Sequence, residues 1–399
     1  MNASYRRSAL LLLFALILLG WWWLSRMRVS VAVIPETHTR QAQQVESRPS
    51  SLQALLAKHF PGINVLALER AAKRCEEDAH QATRARWETL GRSSDRDDRI
   101  AHALLANMFD DNAGESTRLL GELSAASPED ADLLWFHATR CQRKHGCDAH
   151  AAGERLVAAE PGNLANWLVV LSQAANNAGT TNDDAALDGL LARAAQSRYY
   201  AQRHVDAFLR TYQSLRDLPV PASCNTPDAL AGRRLMQQMG VRGLEGSMQS
   251  GEMALTTAIA AMTTYMPSGG RIDLLCPSTE SLPRARMQSC RSIASLMADG
   301  ETLLDQALGL GMMVRLTEGL PEHEAAQWRE RYRQHRWLME QRDMAFELDM
   351  STAYARMTEG EARTHQAELQ RQGRWPPPAD WLPRDEHARS LITGSPPPP

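Results

Sequence analysis

Apolar residues recur at every third or fourth position through most of the chain after residue 52, a spacing that places them on one face of an α-helix. Leu164, Trp167, Leu168 and Leu171 show this pattern clearly, at i, i+3, i+4 and i+7. No stretch alternates apolar and polar residues in the way that is typical of a half-buried strand. The pattern therefore predicts an all-α fold.

Three helical hairpins are predicted between residues 95 and 196, separated by turns that contain proline. The pattern breaks near Pro219-Val220-Pro221, where we place a boundary between a hairpin domain over 52–218 and a C-terminal helical bundle region over 219–372. The final segment, 373–399, is rich in proline. Because proline cannot continue a helix, we expect this tail to be disordered.

Two features of the C-terminal region concern its packing. Glu322–Met357 is predicted as one long amphipathic helix, with aromatic and methionine residues along a single stripe. Residues 228–267 are rich in methionine, which indicates ordinary core or, as an alternative, an adaptable apolar pocket for a small ligand. A methionine stripe forms core more often than it forms a binding site.

The longest apolar run lies near the start of the chain. Ser8–Ser25 contains no charged residue, and a helix that crosses a bilayer needs about 20 predominantly apolar residues. The run includes Trp21, Trp22 and Trp23, and indole rings favour the membrane interface. The sequence therefore predicts an N-terminal tail and transmembrane helix over 1–28, with the three tryptophans as an interfacial belt.

The orientation of this anchor is not decided by its own charges, because arginines flank it on both sides. A short basic tail in the cytoplasm, with the rest exported, is the common arrangement. The alternative is a cleavable signal peptide that ends at Ser30-Val31-Ala32. Arg26 and Arg28 lie before that site, so we expect an uncleaved anchor, followed by a flexible tether over 29–51 that is rich in Gln, Ser and Thr.

Composition narrows the classes of function. The hydrophobic share of 43% is close to that of a globular protein, and the net charge of −3 offers no basic field for nucleic acid. We therefore expect no nucleic-acid binding. The only lysines are Lys58, Lys73 and Lys144, which leaves little room for a Ser-x-x-Lys acyl enzyme, a Schiff-base lysine or a Walker A motif.

The chain has six cysteines, all on one side of the predicted anchor. An even number in an exported chain indicates disulfides, with 15 connectivities for six cysteines. Two local pairs suggest themselves, which leaves a third, long-range pair. The three pairs are Cys141 with Cys147, Cys276 with Cys290, and Cys75 with Cys224.

Four residues that could ligate a metal lie close together: Cys141, His145, Cys147 and His150. Their spacing matches none of the usual zinc-binding patterns. A disulfide between the two cysteines is the simplest interpretation in an oxidising compartment, while a metal site and free thiols stay open as alternatives. We assign no metal and no cofactor.

The sequence contains no complete catalytic motif of the kinds that we considered. His323-Glu324-Ala325-Ala326-Gln327 begins like the zinc-protease pattern His-Glu-x-x-His but lacks the second histidine. We interpret it as the first turn of a helix, where acidic residues are favourable. We assign no catalytic residue.

The predicted hairpins resemble a known repeat family. Pro128 and Pro161 lie 33 positions apart in two of the turns, Trp167 follows the second turn, and Ala149 occupies a small-residue position. Residues 95–196 thus resemble a degenerate tetratricopeptide repeat array, whose period is near 34 residues. His137 stands where that family prefers glycine. The resemblance implies a concave surface that binds a peptide or a partner protein, and it implies no catalysis.

These observations together predict a single-pass protein of the inner membrane of a Gram-negative bacterium, held in the membrane by residues 8–25, with its C-terminal part in the periplasm. The main hypothesis is a scaffold that binds an unidentified protein or peptide. The alternative is a helical periplasmic hydrolase that acts on the cell wall through acidic residues that the sequence does not locate.

Overall fold

A computed structural model of the protein describes residues 64–109, 114–142, 147–178, 184–238, 243–265, 272–277, 282–317, 319–341 and 350–394. The predicted anchor at Ser8–Ser25, its belt Trp21–Trp23 and the tether over 29–51 lie outside these residues. Of the helices within the described ranges, none is long and apolar enough to cross a membrane.

The described part of the chain is helical, as the apolar spacing predicts. Its one pairing of strand type is an isolated bridge between Asn163 and Tyr199. The helices, numbered in chain order, are α1 (Val65–Gly91), α2 (Arg96–Phe109), α3 (Gly114–Ala126), α4 (Ala131–Cys141), α5 (Ala149–Ala159), α6 (Leu164–Ala178), α7 (Asp184–Ala194), α8 (His204–Leu215), α9 (Pro227–Gln238), α10 (Ser250–Met262), α11 (Ile272–Leu275), α12 (Arg284–Ala298), α13 (Leu303–Arg315), α14 (Glu322–Gln341), α15 (Met350–Glu359), α16 (Glu361–Arg371) and α17 (Glu386–Thr393).

Helices α2 to α7 form a consecutive array in which each helix packs against the next. Polar residues in the turns set where the helices begin. The Asp130 carboxylate accepts hydrogen bonds from the backbone N–H groups of Asp132 (3.0 Å) and Leu133 (3.1 Å), which caps α4. Before α6, the buried Asn163 side chain bonds the backbone of Ala165 and of Ala201. The predicted hairpins are therefore present as paired helices.

Helix α4 is enclosed on all sides. Every residue from Leu133 to Cys141 is buried, including Trp135 and Phe136, which are fully buried. Its neighbours are α3, α5, α6 and a short 3₁₀ turn, Thr263–Tyr265. The Tyr265 ring stands edge-on to Phe136, with 5.5 Å between ring centroids, and its hydroxyl lies 3.1 Å from the carbonyl oxygen of Leu104. A part of the chain far along the sequence thus closes the core around α4.

Helix α8 buries the residues of one stripe, at a spacing of three or four: His204, Ala207, Phe208, Thr211 and Leu215. Phe208 packs against Leu255 and Ala258 of α10, and both α8 and α10 contact α2. Beyond residue 200, therefore, the chain packs back onto the first helix of the array.

The predicted boundary near Pro219-Val220-Pro221 lies close to a change of compact unit, which falls between Pro221 and Ala222. The chain returns to the preceding unit at Met248, so that Glu77–Pro221, Met248–Asp343 and Glu347–Pro399 belong to one unit. The division into domains over 52–218 and 219–372 stays a prediction. Met253 and Met262 of α10 are buried, so these two members of the methionine-rich stretch are core residues.

The other unit contains the described residues 64–76, 222–238 and 243–247. In it, the disulfide between Cys75 of α1 and Cys224 joins two segments 149 positions apart. After α9, the Arg233 side chain donates a hydrogen bond to the carbonyl oxygen of Gly246 at 3.2 Å.

The C-terminal region agrees with its prediction in one respect and differs in another. The stretch expected as a long helix, Glu322–Met357, is helical over α14 and the described part of α15, and residues 342–349 lie outside the described ranges. The disorder expected from residue 373 is wrong for 373–394, because α17 packs on α13 and α14 with Ala388 buried. Residues 395–399 lie outside the description.

The proline segment before α17 is ordered without being helical. Arg333 of α14 donates to the carbonyl oxygen of Pro378 (2.6 Å), and the Trp337 indole N–H donates to that of Arg374 (2.9 Å). Trp337 also meets Trp381 edge-on at 5.0 Å. Proline excludes a helix, but it leaves carbonyl groups that long side chains of a neighbouring helix can bind.

Candidate functional site

The six cysteines form three disulfides, and none is left free. The Cα–Cα distances are 4.5 Å for Cys75–Cys224, 5.3 Å for Cys141–Cys147 and 5.8 Å for Cys276–Cys290. These are the pairs that the sequence suggests.

The Cys141–Cys147 disulfide lies beside a histidine that the sequence analysis did not include in a site. His137 precedes Cys141 by four positions, so both side chains lie on the same face of α4. The imidazole Nε2 is 3.3 Å from the Cys141 Sγ and 3.8 Å from the Cys147 Sγ. Cys141 and His137 are buried, whereas Cys147, just before α5, is half-buried. We call these three residues the His137 cluster.

Arg155 determines which ring nitrogen of His137 carries the proton. Its Nη2 lies 3.3 Å from the His137 Nδ1, and a guanidinium can only donate. The Nδ1 atom therefore accepts, and the proton is on Nε2, where it points at the two sulfurs. Burial, and then the positive charge of Arg155, lower the pKa of His137 to about 4. At neutral pH the ring is an uncharged donor to sulfur.

Two residues of α3 complete the surroundings of the ring. The Ser124 hydroxyl lies 3.5 Å from Nδ1 and donates to the carbonyl oxygen of Gly121 at 3.0 Å. Gly121 itself leaves room for the imidazole, since a Cβ there would stand 3.2 Å from Nε2. The His137 cluster is thus held by α3, α4 and α5.

The structure does not bring together the four residues that the sequence offers as candidate metal ligands. His145 lies outside the described residues, and His150 is exposed and pairs with Glu154 at 3.4 Å. His137 takes their place: its ligand atom and those of Cys141 and Cys147 lie within 4.8 Å of one another. A metal would need thiolates, and sulfurs joined in a disulfide do not supply them.

A second polar group joins the turns of the array to α8. Arg203 binds the carboxylates of Asp132 and Glu160, with its Nη2 2.8 Å from the Glu160 Oε1. The Tyr199 hydroxyl donates to the same Glu160 oxygen at 2.8 Å. Hydrogen bonds from Tyr199 and Arg203 outweigh the effect of burial, so the pKa of Glu160 is lowered. This arrangement stabilises the charged form of the Glu160 carboxylate.

Asp305 is the other conspicuous acid, and burial raises its pKa. Its carboxylate accepts from the hydroxyls of Tyr200 and Thr302, each at 2.7 Å, and from the Gln202 amide at 2.7 Å. It is 4% exposed. Asp305 therefore joins the start of α13 to the loop before α8, and it does not face a substrate-accessible cleft.

The structure also locates the incomplete zinc-protease pattern at His323 and Glu324. His323 and Glu324 lie in the first turn of α14, which begins at Glu322, in agreement with a helix start. The membrane belt Trp21–Trp23 lies outside the described residues. The position of His137 could have been found from its i, i+4 spacing to Cys141, which is the spacing of side chains that touch on a helix.

Comparison with known proteins provides no family assignment: the chain matches no protein-family model, no curated protein and no solved structure.

Proposed function

We propose that this is a single-pass protein of a bacterial inner membrane whose periplasmic helical part binds protein or peptide partners. The pairing of all six cysteines is the observation that carries the proposal. Disulfides persist in oxidising compartments such as the periplasm and are rare in the cytosol. The apolar run Ser8–Ser25 supplies an anchor that suits such a location.

The packed array suggests where a partner would bind. Helices α2 and α4 do not offer a surface to a partner, because α8, α10 and Tyr265 cover them. Helices α3 and α5 each bury one side and expose the other. Their exposed residues include Arg118 and Glu122 on α3 and Glu154 on α5. We place the partner surface on these exposed, charged sides, and not on a concave face of the kind that the tetratricopeptide resemblance implies.

The location is tested by reporters fused after Pro399 of the full chain. A phosphatase that folds only outside the cytoplasm is expected to be active there, and a reporter that folds only in the cytoplasm is expected to be inactive. The opposite result would place the helical part in the cytoplasm and remove the compartment on which the proposal depends.

Partner binding is tested by photo-crosslinking in cells. A photoreactive amino acid is introduced into the full chain at Glu122 or Glu154, with Arg371 of α16 as an equally exposed control position. The proposal predicts a discrete crosslinked product from the first two positions and none from the third. If all three positions gave the same products, or none did, the assigned surface would be wrong.

The alternative of a cell-wall hydrolase gains no support from Glu160 or from Asp305. Glu160 forms an ion pair with Arg203, and Asp305 is enclosed. We therefore propose no catalytic residues for hydrolysis.

A further inference from the structure

Two of the disulfides lie in contrasting surroundings. Cys276 and Cys290 are 1% and 0% exposed and belong to a cluster of apolar side chains that includes Leu168 and Ile293. Cys141 also belongs to an apolar cluster, against which Cys147 packs, but Cys147 is half-buried and the His137 Nε2 lies 3.3 and 3.8 Å from the two sulfurs. Structural disulfides are enclosed and inert, whereas exchanging ones are accessible and have neighbours that stabilise a thiolate.

We propose that the Cys141–Cys147 disulfide is a redox-active site that exchanges with the thiols of a dithiol substrate. His137 and Arg155 act in it as positioning residues. This inference concerns the chemistry of the disulfide and does not depend on the binding function proposed above.

Cys147 is the less buried of the two cysteines, and its sulfur is the one that we expect a substrate to attack. Cys147 immediately precedes Asp148, the N-cap of α5, whose carboxylate accepts from the Ala151 N–H at 2.9 Å. A thiolate on Cys147 would lie at the positive end of α5, a location that lowers the pKa of a thiol. The adjacent Asp148 carboxylate opposes this effect, because it keeps its negative charge while it caps α5.

The buried sulfur needs a donor if it is to leave as a thiolate. Cys141 is 2% exposed and is the last residue of α4, and both burial and the negative end of a helix disfavour an anion there. The His137 Nε2–H, 3.3 Å away, supplies a hydrogen bond to that anion. Arg155, through its contact with Nδ1, keeps the proton on Nε2.

The exchange takes place in two steps. A substrate thiolate attacks the Cys147 sulfur and forms a mixed disulfide, while the Cys141–Cys147 bond breaks and its electron pair stays on Cys141 as a thiolate. The second substrate thiolate then attacks the substrate sulfur of the mixed disulfide and releases Cys147 as a thiolate. The substrate is oxidised to a disulfide by loss of two electrons, and the protein gains a dithiol; the protons released from the substrate thiols go to solvent or to the new thiolates.

The test measures each disulfide separately. Oxidised full-length protein is equilibrated with mixtures of reduced and oxidised glutathione in the presence of a chelator, the thiols are trapped by alkylation, and the cysteine peptides are quantified by mass spectrometry. Cys141–Cys147 is expected to be reduced with an equilibrium constant at least about tenfold larger than that of Cys276–Cys290.

Variants show whether the neighbouring side chains, and not only the exposure of Cys147, determine how easily Cys141–Cys147 is reduced. His137→Phe removes the donor and is expected to lower the reduction equilibrium constant of Cys141–Cys147 about tenfold, and His137→Gln, which keeps an N–H, restores much of it. Arg155→Gln, at an exposed site, is expected to lower it about threefold to fivefold. Arg118→Gln on α3, equally exposed and paired only with Glu115 and Glu122 in its ion pairs, is the matched control and is expected to change nothing.

Two results would overturn the proposal. One is equal resistance of Cys141–Cys147 and Cys276–Cys290 to reduction in the unaltered protein. The other is an Arg155→Gln protein that behaves like Arg118→Gln, which would show that the neighbours of the sulfurs do not affect them. Both results come from the unaltered protein or from substitutions of exposed residues. They therefore decide the question even if a variant of the buried His137 fails to fold.

Discussion

The Cys276–Cys290 and Cys141–Cys147 disulfides join neighbouring helices in the same compact unit, yet the residues around them differ in kind. The first is enclosed by apolar side chains of α6, α12 and α13. The second also packs in an apolar cluster, but its Cys147 is half-buried, the His137 Nε2 lies 3.3 Å from the Cys141 Sγ, and Arg155 contacts the other ring nitrogen. The difference indicates that a disulfide can have a role beyond stabilising the fold when its neighbours can stabilise the thiolate that reduction would release.

The largest expected effect concerns stability. Replacing Cys276 and Cys290 together by alanine removes a link between residues 14 positions apart and is expected to cost about 3 kcal/mol in the free energy of unfolding. The matched double variant of Cys141 and Cys147, which are 6 positions apart, is expected to cost about 2 kcal/mol. Denaturant unfolding of both variants measures the difference. A larger loss for the second pair would mean that it is the main structural link.

The next effect is a dependence of stability on pH. The pKa of His137 is about 4 in the folded protein and 6.5 for an ordinary histidine, so the unfolded state takes up a proton first as the pH falls. Its contribution to stability is intact above pH 6.5 and is lost progressively as the pH falls from 6.5 towards 4.

Comparison of His137→Gln with the unaltered protein tests whether the free energy of unfolding falls with pH because of His137. The slope of unfolding free energy against pH near pH 5 is expected to correspond to about one proton fewer in the variant. His204 and His335 also have pKa values lowered to about 4 by burial, so their contribution remains in both proteins. An unchanged slope would show that His137 titrates normally.

Two glycine substitutions compare the space beside the His137 ring with the open space beside α7. In Gly121→Ala, the new Cβ would stand 3.2 Å from the His137 Nε2, whereas at Gly189 of α7 a Cβ would meet nothing within 4 Å. Gly189→Ala is expected to stabilise the protein by about 0.5–1 kcal/mol through helix propensity, and Gly121→Ala is expected to lose that gain because the ring must move. Thermal unfolding of both variants measures the effect, and equal stabilisation would show that the imidazole is not confined.

The smallest expected effect is that of Arg155→Gln on stability. Because Arg155 is exposed, its removal is expected to change the free energy of unfolding by less than about 0.5 kcal/mol. Its effect on the reduction of Cys141–Cys147 is nevertheless expected to be measurable. A large loss of stability would instead assign Arg155 a structural role.

Much of the fold follows from residue spacing. The three-and-four spacing of apolar residues predicts the helices of the array, and the short separations within Cys141–Cys147 and Cys276–Cys290 suggest their pairing. The enclosure of α4 was not predictable in the same way, because its sequence contains His137, Thr139 and Arg140, which resemble a solvated side. Thr139 is accommodated by donating to the carbonyl oxygen of Trp135 at 2.9 Å, a local bond that spacing does not show.

The site was only partly predictable for a related reason. The cysteines are visible in the sequence, but the tautomer of His137 depends on Arg155, eighteen positions away on another helix. Likewise, α17 is ordered because α13 and α14 offer it a surface, a tertiary effect that the proline content of the tail does not reveal.

The pKa of the Cys147 thiol in the reduced protein tests the contrast between the two disulfides most directly. It can be measured from the rate of alkylation of Cys147 as a function of pH, with the peptide identified by mass spectrometry and a chelator present. Stabilisation by the start of α5 and by the His137 N–H predicts a pKa below about 8.5, the ordinary value for cysteine. A value at or above about 8.5 would contradict the account and leave Cys141–Cys147 as a structural link like Cys276–Cys290.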